Sequence, residues 1–249
     1  MKIIPTILSL NEQGKRLRNE DTIVYGNLYG NKGYFFAVCD GVGGVDNGDL
    51  ASKLACQNIK KYLLRYISNT YNQDYMDKMI GFVENAFDNY IDQDPAAKRM
   101  ATTMALLVLY SDKAIVAHIG DSRIYHIRGN SILFKTQDHS LVNDLIKSGI
   151  ITEEKASTHP QRNIITRAIQ GKQNKQVKAD VHIIHNIDHS DYLFLCSDGI
   201  LESITDSQLI QILSKDWSNE KKMEFIREQC ANRSEDNYST FLIQINKIL

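Results

Sequence analysis

The sequence predicts an α+β protein in which helices cover an antiparallel β-sandwich. Strand-like runs occur in blocks joined by short turns, and two long helical patterns separate the first two blocks. The regular strand–helix alternation of a parallel sheet is missing. With 249 residues, 43% hydrophobic and 24% charged, the chain can bury one large core. Because it has no internal repeat, low-complexity tract or linker, one domain over residues 1–249 is predicted.

The first third of the chain is predicted to contain three strands and two helices. The stretch MKIIPTILSL is a predicted strand, because it is too short for a signal segment and contains Pro5. The runs at 22–29 and 33–40 are predicted strands. Apolar residues then recur with helical spacing over 50–67, where Asp49 is the expected N-cap, and over 75–91.

The rest of the chain is predicted to be a strand meander, a polar insertion and a mixed C-terminal part. The predicted strands lie at 102–110, 113–120, 122–128, 131–136, 181–187, 192–197 and 238–245. The predicted helices lie near 141–148, 206–214 and 219–231. The polar, irregular segment 137–171 interrupts the strands and is expected to form a flap on the body.

Charge and cysteine use narrow the class of protein. The formal net charge is −1 with both signs interspersed, which argues against a nucleic-acid or membrane-surface partner. No apolar run approaches the roughly 18 residues that a membrane span needs. Four cysteines show no C-x-x-C spacing, and two lie in apolar strands. Buried, reduced thiols in a cytoplasmic protein are the simplest interpretation, although disulfide pairing stays open.

Acidic residues recur at predicted strand ends and in short turns. Asp40 ends the run FFAVCD, and Asp198 follows YLFLCS. The other acidic elements are RNED (18–21), GDSR (120–123) and SEDN (234–237). Any one of them is typical of a turn or helix cap. If several converge, however, two carboxylates 4 Å apart repel by about 4 kcal/mol at an effective dielectric constant of 20. A hard divalent cation with oxygen ligands would offset that repulsion, whereas the scattered histidines lack zinc spacing.

The order of these motifs resembles one known family. The segments RLRNED, FFAVCDGVGG, AHIGDSRIY, TQDHSLVNDLIKSGIITEEKASTHPQRNIITRAI, LFLCSDGI and EDNYST occur in the same order as in bacterial metal-dependent serine/threonine protein phosphatases of type 2C. The resemblance covers about residues 16–245. It implies a four-layer α/β/β/α fold with helices on both sides of the sandwich. It also implies hydrolysis of phosphoserine and phosphothreonine by a water or hydroxide that bridges two divalent ions.

The resemblance also implies a role for each matching residue. Asp40 would bridge two Mn²⁺ or Mg²⁺ ions, and the carbonyl of Gly41 would complete the first site. Asp198 and Asp236 would bind the second ion. Asp121 would belong to a third, weaker site that it shares with Asp198. Because water attacks phosphorus directly, no Ser or Cys nucleophile is required.

Further residues are expected around the ions. Glu20 and Asp21 would orient ion-bound waters. Arg16 would hold the substrate phosphate, a task suited to the guanidinium fork. Arg18 is the rival for that role, and position in the motif favours Arg16.

The chain departs from the family pattern near Asp40. Bacterial relatives usually carry His where this chain has Val45, and animal relatives carry His where it has Val42. No neighbouring histidine is then available as a general acid. His159 in the flap is a candidate proton donor, and satisfying a loop backbone is its alternative role.

Two other classes of function stay open beside the phosphatase. One is a catalytically weak protein of the same fold that binds phosphoproteins, and retention of the whole ligand set argues against it. The other is a different two-metal hydrolase, such as a nuclease, which the lack of a basic patch disfavours. The expected partners of a phosphatase are phosphoproteins and a cognate serine/threonine kinase, with the enzyme itself a monomer.

Overall fold

Two antiparallel sheets form the body of the protein. The computed structural model describes residues 3–28, 33–42, 47–68, 70–110, 113–156 and 158–248. The strands are β1 (Ile3–Glu12), β2 (Asp21–Leu28), β3 (Gly33–Asp40), β4 (Ala101–Thr102), β5 (Met104–Tyr110), β6 (Lys113–Ile119), β7 (Arg123–Arg128), β8 (Ser131–Lys135), β9 (Ile169–Gln170), β10 (Asp180–Ile184), β11 (Tyr192–Cys196) and β12 (Tyr238–Ile248). One sheet has the order β1-β12-β11-β7-β8 and the other β10-β6-β5-β3-β2.

Helices cover both outer faces of this sandwich. They are α1 (Gly48–Arg65), α2 (Gln73–Gln93), α3 (Leu141–Lys147), α4 (Glu153–Ala156), α5 (Asp198–Leu201), α6 (Asp206–Leu213) and α7 (Asn219–Arg233), with a 3₁₀ turn at Pro95–Arg99. None of the helices in the described ranges combines the length and the apolarity that crossing a bilayer requires.

Strand β3 shows why the run FFAVC is apolar throughout. Phe35, Ala37 and Cys39 pack in a cluster with α1 and α2, whereas Phe36 and Val38 pack in the cluster between the two sheets. Successive side chains of a strand point to opposite faces, and here both faces are buried. A third cluster lies between the β1-to-β8 sheet and α5, α6 and α7. These three cores confirm the predicted four-layer α/β/β/α arrangement.

The start of α1 differs from the prediction. The N-cap is Asn47, in the left-handed region at φ 74° and without a side-chain cap bond. Asp49 lies in the first turn instead, 3.2 Å from the Lys53 ammonium. The reason is tertiary, because a Cβ on Gly41 would collide with the Gly48 carbonyl oxygen. The helix therefore begins at Gly48, where the two glycines are in close contact, two residues before the predicted start at residue 50.

The predicted flap, residues 137–171, contains α3, α4 and β9. Strand β9 pairs with β4, which ties the end of the segment to the chain just after the 3₁₀ turn. The two ends of the flap stretch 140–165 are hydrogen-bonded to each other: Ser140 forms a β-bridge with Ile165, and the Leu141 amide donates to the Ile164 carbonyl. Ile150 on its surface is 68% exposed. The described part of the segment is thus folded and anchored at its base.

Candidate metal centre

Five aspartates meet at one end of the sandwich. Strand β3 ends at Asp40, which lies opposite Asp21 at the start of β2. Asp121 follows β6, Asp198 follows β11, and Asp236 precedes β12. Because neighbouring strands within each sheet run antiparallel, the end of β3 lies beside the start of β2, and the end of β11 lies beside the starts of β7 and β12. The topology thus gathers carboxylates that are far apart in sequence.

Asp40 is held by its main chain. Its carbonyl oxygen accepts from the Thr103 amide at 2.8 Å and from Thr102 Oγ1 at 2.9 Å. Its own amide donates to Thr103 Oγ1 at 3.0 Å. Burial raises the pKa of Asp40 well above its usual range, and the charges of nearby aspartates, first Asp21 and Asp198, raise it further. The carboxylate is therefore fixed where its negative charge is unfavourable without a cation.

Asp198 and Asp121 are in the same situation. Burial and then the charges of Asp121 and Asp236 raise the pKa of Asp198. Burial, followed by the charge of Asp138, raises the pKa of Asp121 to about 7. The Oδ1 atoms of both Asp198 and Asp121 are buried without a hydrogen-bond partner in the described part of the chain. Buried oxygens without donors and close like charges fit a set of ligands for Mn²⁺ or Mg²⁺, which prefer oxygen.

Glu20 and Asp21 support this cluster from the start of β2. Asp21 Oδ2 accepts from Ser197 Oγ at 2.7 Å, and burial raises the pKa of Asp21 to about 6. Burial also raises the pKa of Glu20 against the opposing charge of Arg16. The Glu20 carbonyl accepts from the Gly41 amide at 3.0 Å, and the Val42 amide, which shares a peptide unit with the Gly41 carbonyl, donates to the Ala101 carbonyl at 3.0 Å.

Arg16, and not Arg18, reaches the carboxylates. A terminal nitrogen of Arg16 lies 2.6 Å from Asp236 Oδ2. Burial disfavours the charge of Arg16, but Asp236 and then Asp198 outweigh that effect and raise its pKa. Arg18 lines a surface cleft with Asp21, Asp49 and Lys53, and its charge opposes the rise in the pKa of Glu20. The structure therefore brings together Arg16 and the five aspartates.

Three side chains without a predicted role link the chain segments that carry the aspartates. Asn237 accepts from the Glu20 amide at 2.9 Å and donates to the Gln13 and Arg18 carbonyls at 2.6 and 2.8 Å. Thr103 Oγ1 lies 2.7 Å from Ser122 Oγ and so links the Asp40 turn to the Asp121 turn. In the sequence, Asn237 and Ser122 stand next to predicted ligands, in EDN and GDSR, whereas Thr103 has no predicted ligand beside it.

A cleft of about 930 Å³ opens beside Asp121 and Asp198. One wall is formed by flap residues, including Arg162, and the other by α5, α6 and the exposed Arg233.

His159, in the flap, accepts a hydrogen bond from the Gln161 amide through Nδ1 at 3.2 Å. This contact matches the role of satisfying a loop backbone, which is the alternative to proton donation. Val42 directly follows Gly41 after β3, and Val45 lies outside the described residues.

The fold also gathers two of the histidines that looked scattered in sequence. His118, His139 and Asp180 place one potential ligand atom each within 4.8 Å of the others. This trio lies where β10 pairs with the end of β6, because Asp180 is opposite His118 in the register. The trio is separate from the five aspartates, but His118 lies three residues before Asp121 in the sequence.

Comparison with known proteins gives a consistent picture. The sequence model of the family described as protein phosphatase 2C matches residues 12–242. Protein phosphatase PhpP of Streptococcus pneumoniae is 34% identical over 242 residues, which cover 94% of each chain.

Solved structures agree over nearly the whole chain. The S. agalactiae serine/threonine phosphatase superposes with a TM-score of 0.88 at 28% identity, covering 98% of this chain and 100% of the other. Serine/threonine phosphatase Stp1 from Staphylococcus aureus also has a TM-score of 0.88, at 29% identity, with coverage of 99% and 98%. The similarity includes both sheets and their helical layers.

Proposed function

The chain belongs to the protein phosphatase 2C family and is a protein serine/threonine phosphatase, and we propose that its five clustered aspartates form the reaction centre. The observation that carries this proposal is the buried Oδ1 of Asp198, which has no hydrogen-bond donor among the described residues. It lies in a cluster where burial and then like charges raise the pKa of Asp40. Asp40, the Gly41 carbonyl, Asp198 and Asp236 would hold two Mn²⁺ or Mg²⁺ ions, and Asp121 a third. When bound, such ions supply a water of lowered pKa and Lewis acidity toward the phosphoryl group.

Arg16 is the proposed phosphate-binding residue. Its side chain is 50% exposed, so a substrate can reach it from solvent, yet it already lies against Asp236. A guanidinium offers two parallel N–H donors to phosphate oxygens. Glu20 and Asp21 would orient water at the centre, from the positions that Asn237 and Ser197 impose on them.

The cysteines beside the centre are unsuited to nucleophilic catalysis. Cys39 and Cys196 are fully buried, and burial raises the pKa of the Cys196 thiol. A protonated, buried thiol is a poor nucleophile. All four cysteines are free, which agrees with the predicted reducing cytoplasm.

We infer that the substrates are phosphoproteins whose phosphorylated segment lies in the cleft between the flap and α5–α6. Its volume of about 930 Å³ is at the upper end of the usual range for ligand sites. A cognate serine/threonine kinase would supply these substrates, and the enzyme would act as a monomer.

One assay tests the proposed function directly. Hydrolysis of p-nitrophenyl phosphate and of a phosphothreonine peptide is measured with Mn²⁺, and again after chelation and dialysis. We expect both activities with the ion and neither without it. Peptide binding without turnover at any Mn²⁺ concentration would instead identify a phosphoprotein-binding module.

Replacing Asp121 separates the third ion from the other two. Asp121→Ala is expected to keep tight Mn²⁺ binding, because Asp40, Asp198 and Asp236 remain, but to lower turnover by at least tenfold. Titration calorimetry counts the tight sites, and initial rates give turnover. Loss of the tight sites would place Asp121 among the ligands of the first two ions.

The flap is expected to affect peptide substrates more than small ones. Arg162→Ala removes an exposed guanidinium from the cleft wall and should lower kcat/KM for an acidic phosphopeptide about tenfold. Turnover of p-nitrophenyl phosphate should change less than twofold. Arg227→Ala is the matched control, because Arg227 is a partly exposed arginine that lies outside the cleft and pairs with Glu224 on α7. Equal losses on both substrates would make this part of the flap structural.

A further inference from the structure

His139 and Gly120 are joined by two reciprocal hydrogen bonds. The Gly120 amide donates to His139 Nδ1 at 3.1 Å, and the His139 amide donates to the Gly120 carbonyl at 2.8 Å. Gly120 has φ +97°, in the region that favours glycine, and a Cβ there would lie 2.6 Å from Thr103 Cγ2. Asp121 is the next residue. The turn that carries Asp121 is therefore held through the buried imidazole.

The opposite side of the ring is held by the start of β10 and by the flap. His139 Nε2 lies 3.1 Å from Asp180 Oδ2, and Asp180 Oδ1 accepts from Arg167 at 2.6 Å. Because Nδ1 accepts from an amide, the ring proton must be on Nε2, where it is donated to Asp180. The carboxylate thereby selects the tautomer that can accept from Gly120.

A metal ion held by His118, His139 and Asp180 is incompatible with the ring geometry. The two imidazoles are stacked, with centroids 4.4 Å apart and planes inclined by only 18°. Imidazole lone pairs lie in the ring plane, so two nearly parallel rings cannot both direct them at one ion about 2.0–2.1 Å away. The His139 Nδ1 atom is also occupied by Gly120, and His118 Nε2 lies 2.9 Å from the Gln137 carbonyl.

We propose that His139 is a positioning residue for the reaction centre, and that it fixes the Gly120–Asp121 turn so that the Asp121 carboxylate faces Asp198. Asp180 and Arg167 hold His139 in the required tautomer and orientation. The inference rests on the proposed role of Asp121 in binding the third ion. Asp121 Oδ1 has no hydrogen-bond partner in the described residues, so the main chain must set its position. Groups that orient metal ligands in this way typically change metal affinity or activity by about 10- to 100-fold when replaced.

Two variants of His139 and one of His118 test the proposal. His139→Phe keeps a stacked ring but removes the acceptor for the Gly120 amide, whereas His139→Asn restores an acceptor near the position of Nδ1. His118→Phe is the matched control, because His118 has the same 4% exposure and the same stack but bonds Gln137 instead. In the metal-free protein, we expect hydrogen exchange of the Gly120 amide to accelerate at least tenfold in His139→Phe. It should remain near wild type in His118→Phe and be largely recovered in His139→Asn.

Activity provides the second measurement. The Mn²⁺ concentration for half-maximal turnover should rise about tenfold in His139→Phe, whereas calorimetry should still find the tight sites. Similar Gly120 exchange and Mn²⁺ dependence in His139→Phe and His118→Phe would overturn the proposal and leave a purely structural stack. A wild-type protein without Mn²⁺-dependent turnover would refute the proposed function, while the exchange experiment would still report whether His139 holds the turn.

Discussion

Replacing Asp40 with Asn is expected to abolish nearly all phosphatase activity and most of the stabilisation by Mn²⁺. Asp40 lies among the other aspartates, and their negative charges are the reason a bound cation would stabilise the folded state. A ligand that binds only the folded protein stabilises it by about 2.7 kcal/mol at a concentration of 100 Kd. Asparagine keeps the shape of the side chain but offers one neutral oxygen in place of the carboxylate that would bind the ions. The melting temperature with and without Mn²⁺ measures the loss.

The same variant is expected to be more stable than wild type when no ion is present. Removing one negative charge relieves repulsion in a buried cluster, so the metal-free melting temperature should rise at pH 8. Asp74→Asn is the control, because Asp74 is an exposed aspartate paired with Lys78 on α2. If Asp40→Asn retains the full Mn²⁺-dependent shift, Asp40 is not the bridging ligand.

The sign of the pH dependence in the metal-free protein follows from the raised pKa values. Burial raises the pKa of Asp21 to about 6 and that of Asp121 to about 7. Groups whose pKa is higher in the folded state stabilise the fold when protonated, and this contribution is lost as the pH rises. The aspartate cluster should therefore destabilise the metal-free protein between about pH 4 and pH 7. Saturating Mn²⁺ should remove that trend, which thermal unfolding at each pH would show.

Replacing Asp191 with Asn is expected to cost about 3 kcal/mol of unfolding free energy without loss of turnover. Asp191 is fully buried and accepts from His126 Nε2 at 2.7 Å and from Arg128 Nε at 2.6 Å. The Asp188 amide donates a further bond at 2.8 Å. Asparagine removes the charge that holds these partners. Because Asp191 lies at the start of β11 and Asp198 follows its end, the substitution is far from the reaction centre.

Acid should reproduce part of this effect in the wild type. Burial disfavours the charge of Asp191, but Arg128 and His126 outweigh it and lower the pKa to about 2. A lowered pKa gives stability that is present above about pH 4 and lost as the pH falls toward 2. Urea unfolding at pH 7 measures the mutational cost, with the exposed Asp74→Asn as control. A cost below about 1 kcal/mol would mean that water replaces the ion pairs.

The sequence by itself determined most of the strands and helices and the class of chemistry. Runs such as FFAVC predict buried strands because side chains alternate between two apolar clusters, and 33–40 was predicted with its observed ends. Asp40 and Asp198 stand out in the sequence because several acidic residues recur at predicted strand ends and in short turns of the same chain. The order of several such motifs identified the family, which comparison confirmed.

Contacts between distant segments required the tertiary structure. Arg16 meets Asp236 across 220 positions of sequence, and His118 and His139 stack only because the flap base folds back on β6. The helix start at Gly48 depends on contact with Gly41, which no local N-cap pattern contains. Periodicity and turn chemistry are set by neighbours along the chain. Which side chains face one another is set by strand order and packing, and the same packing places the Asp121 turn against His139.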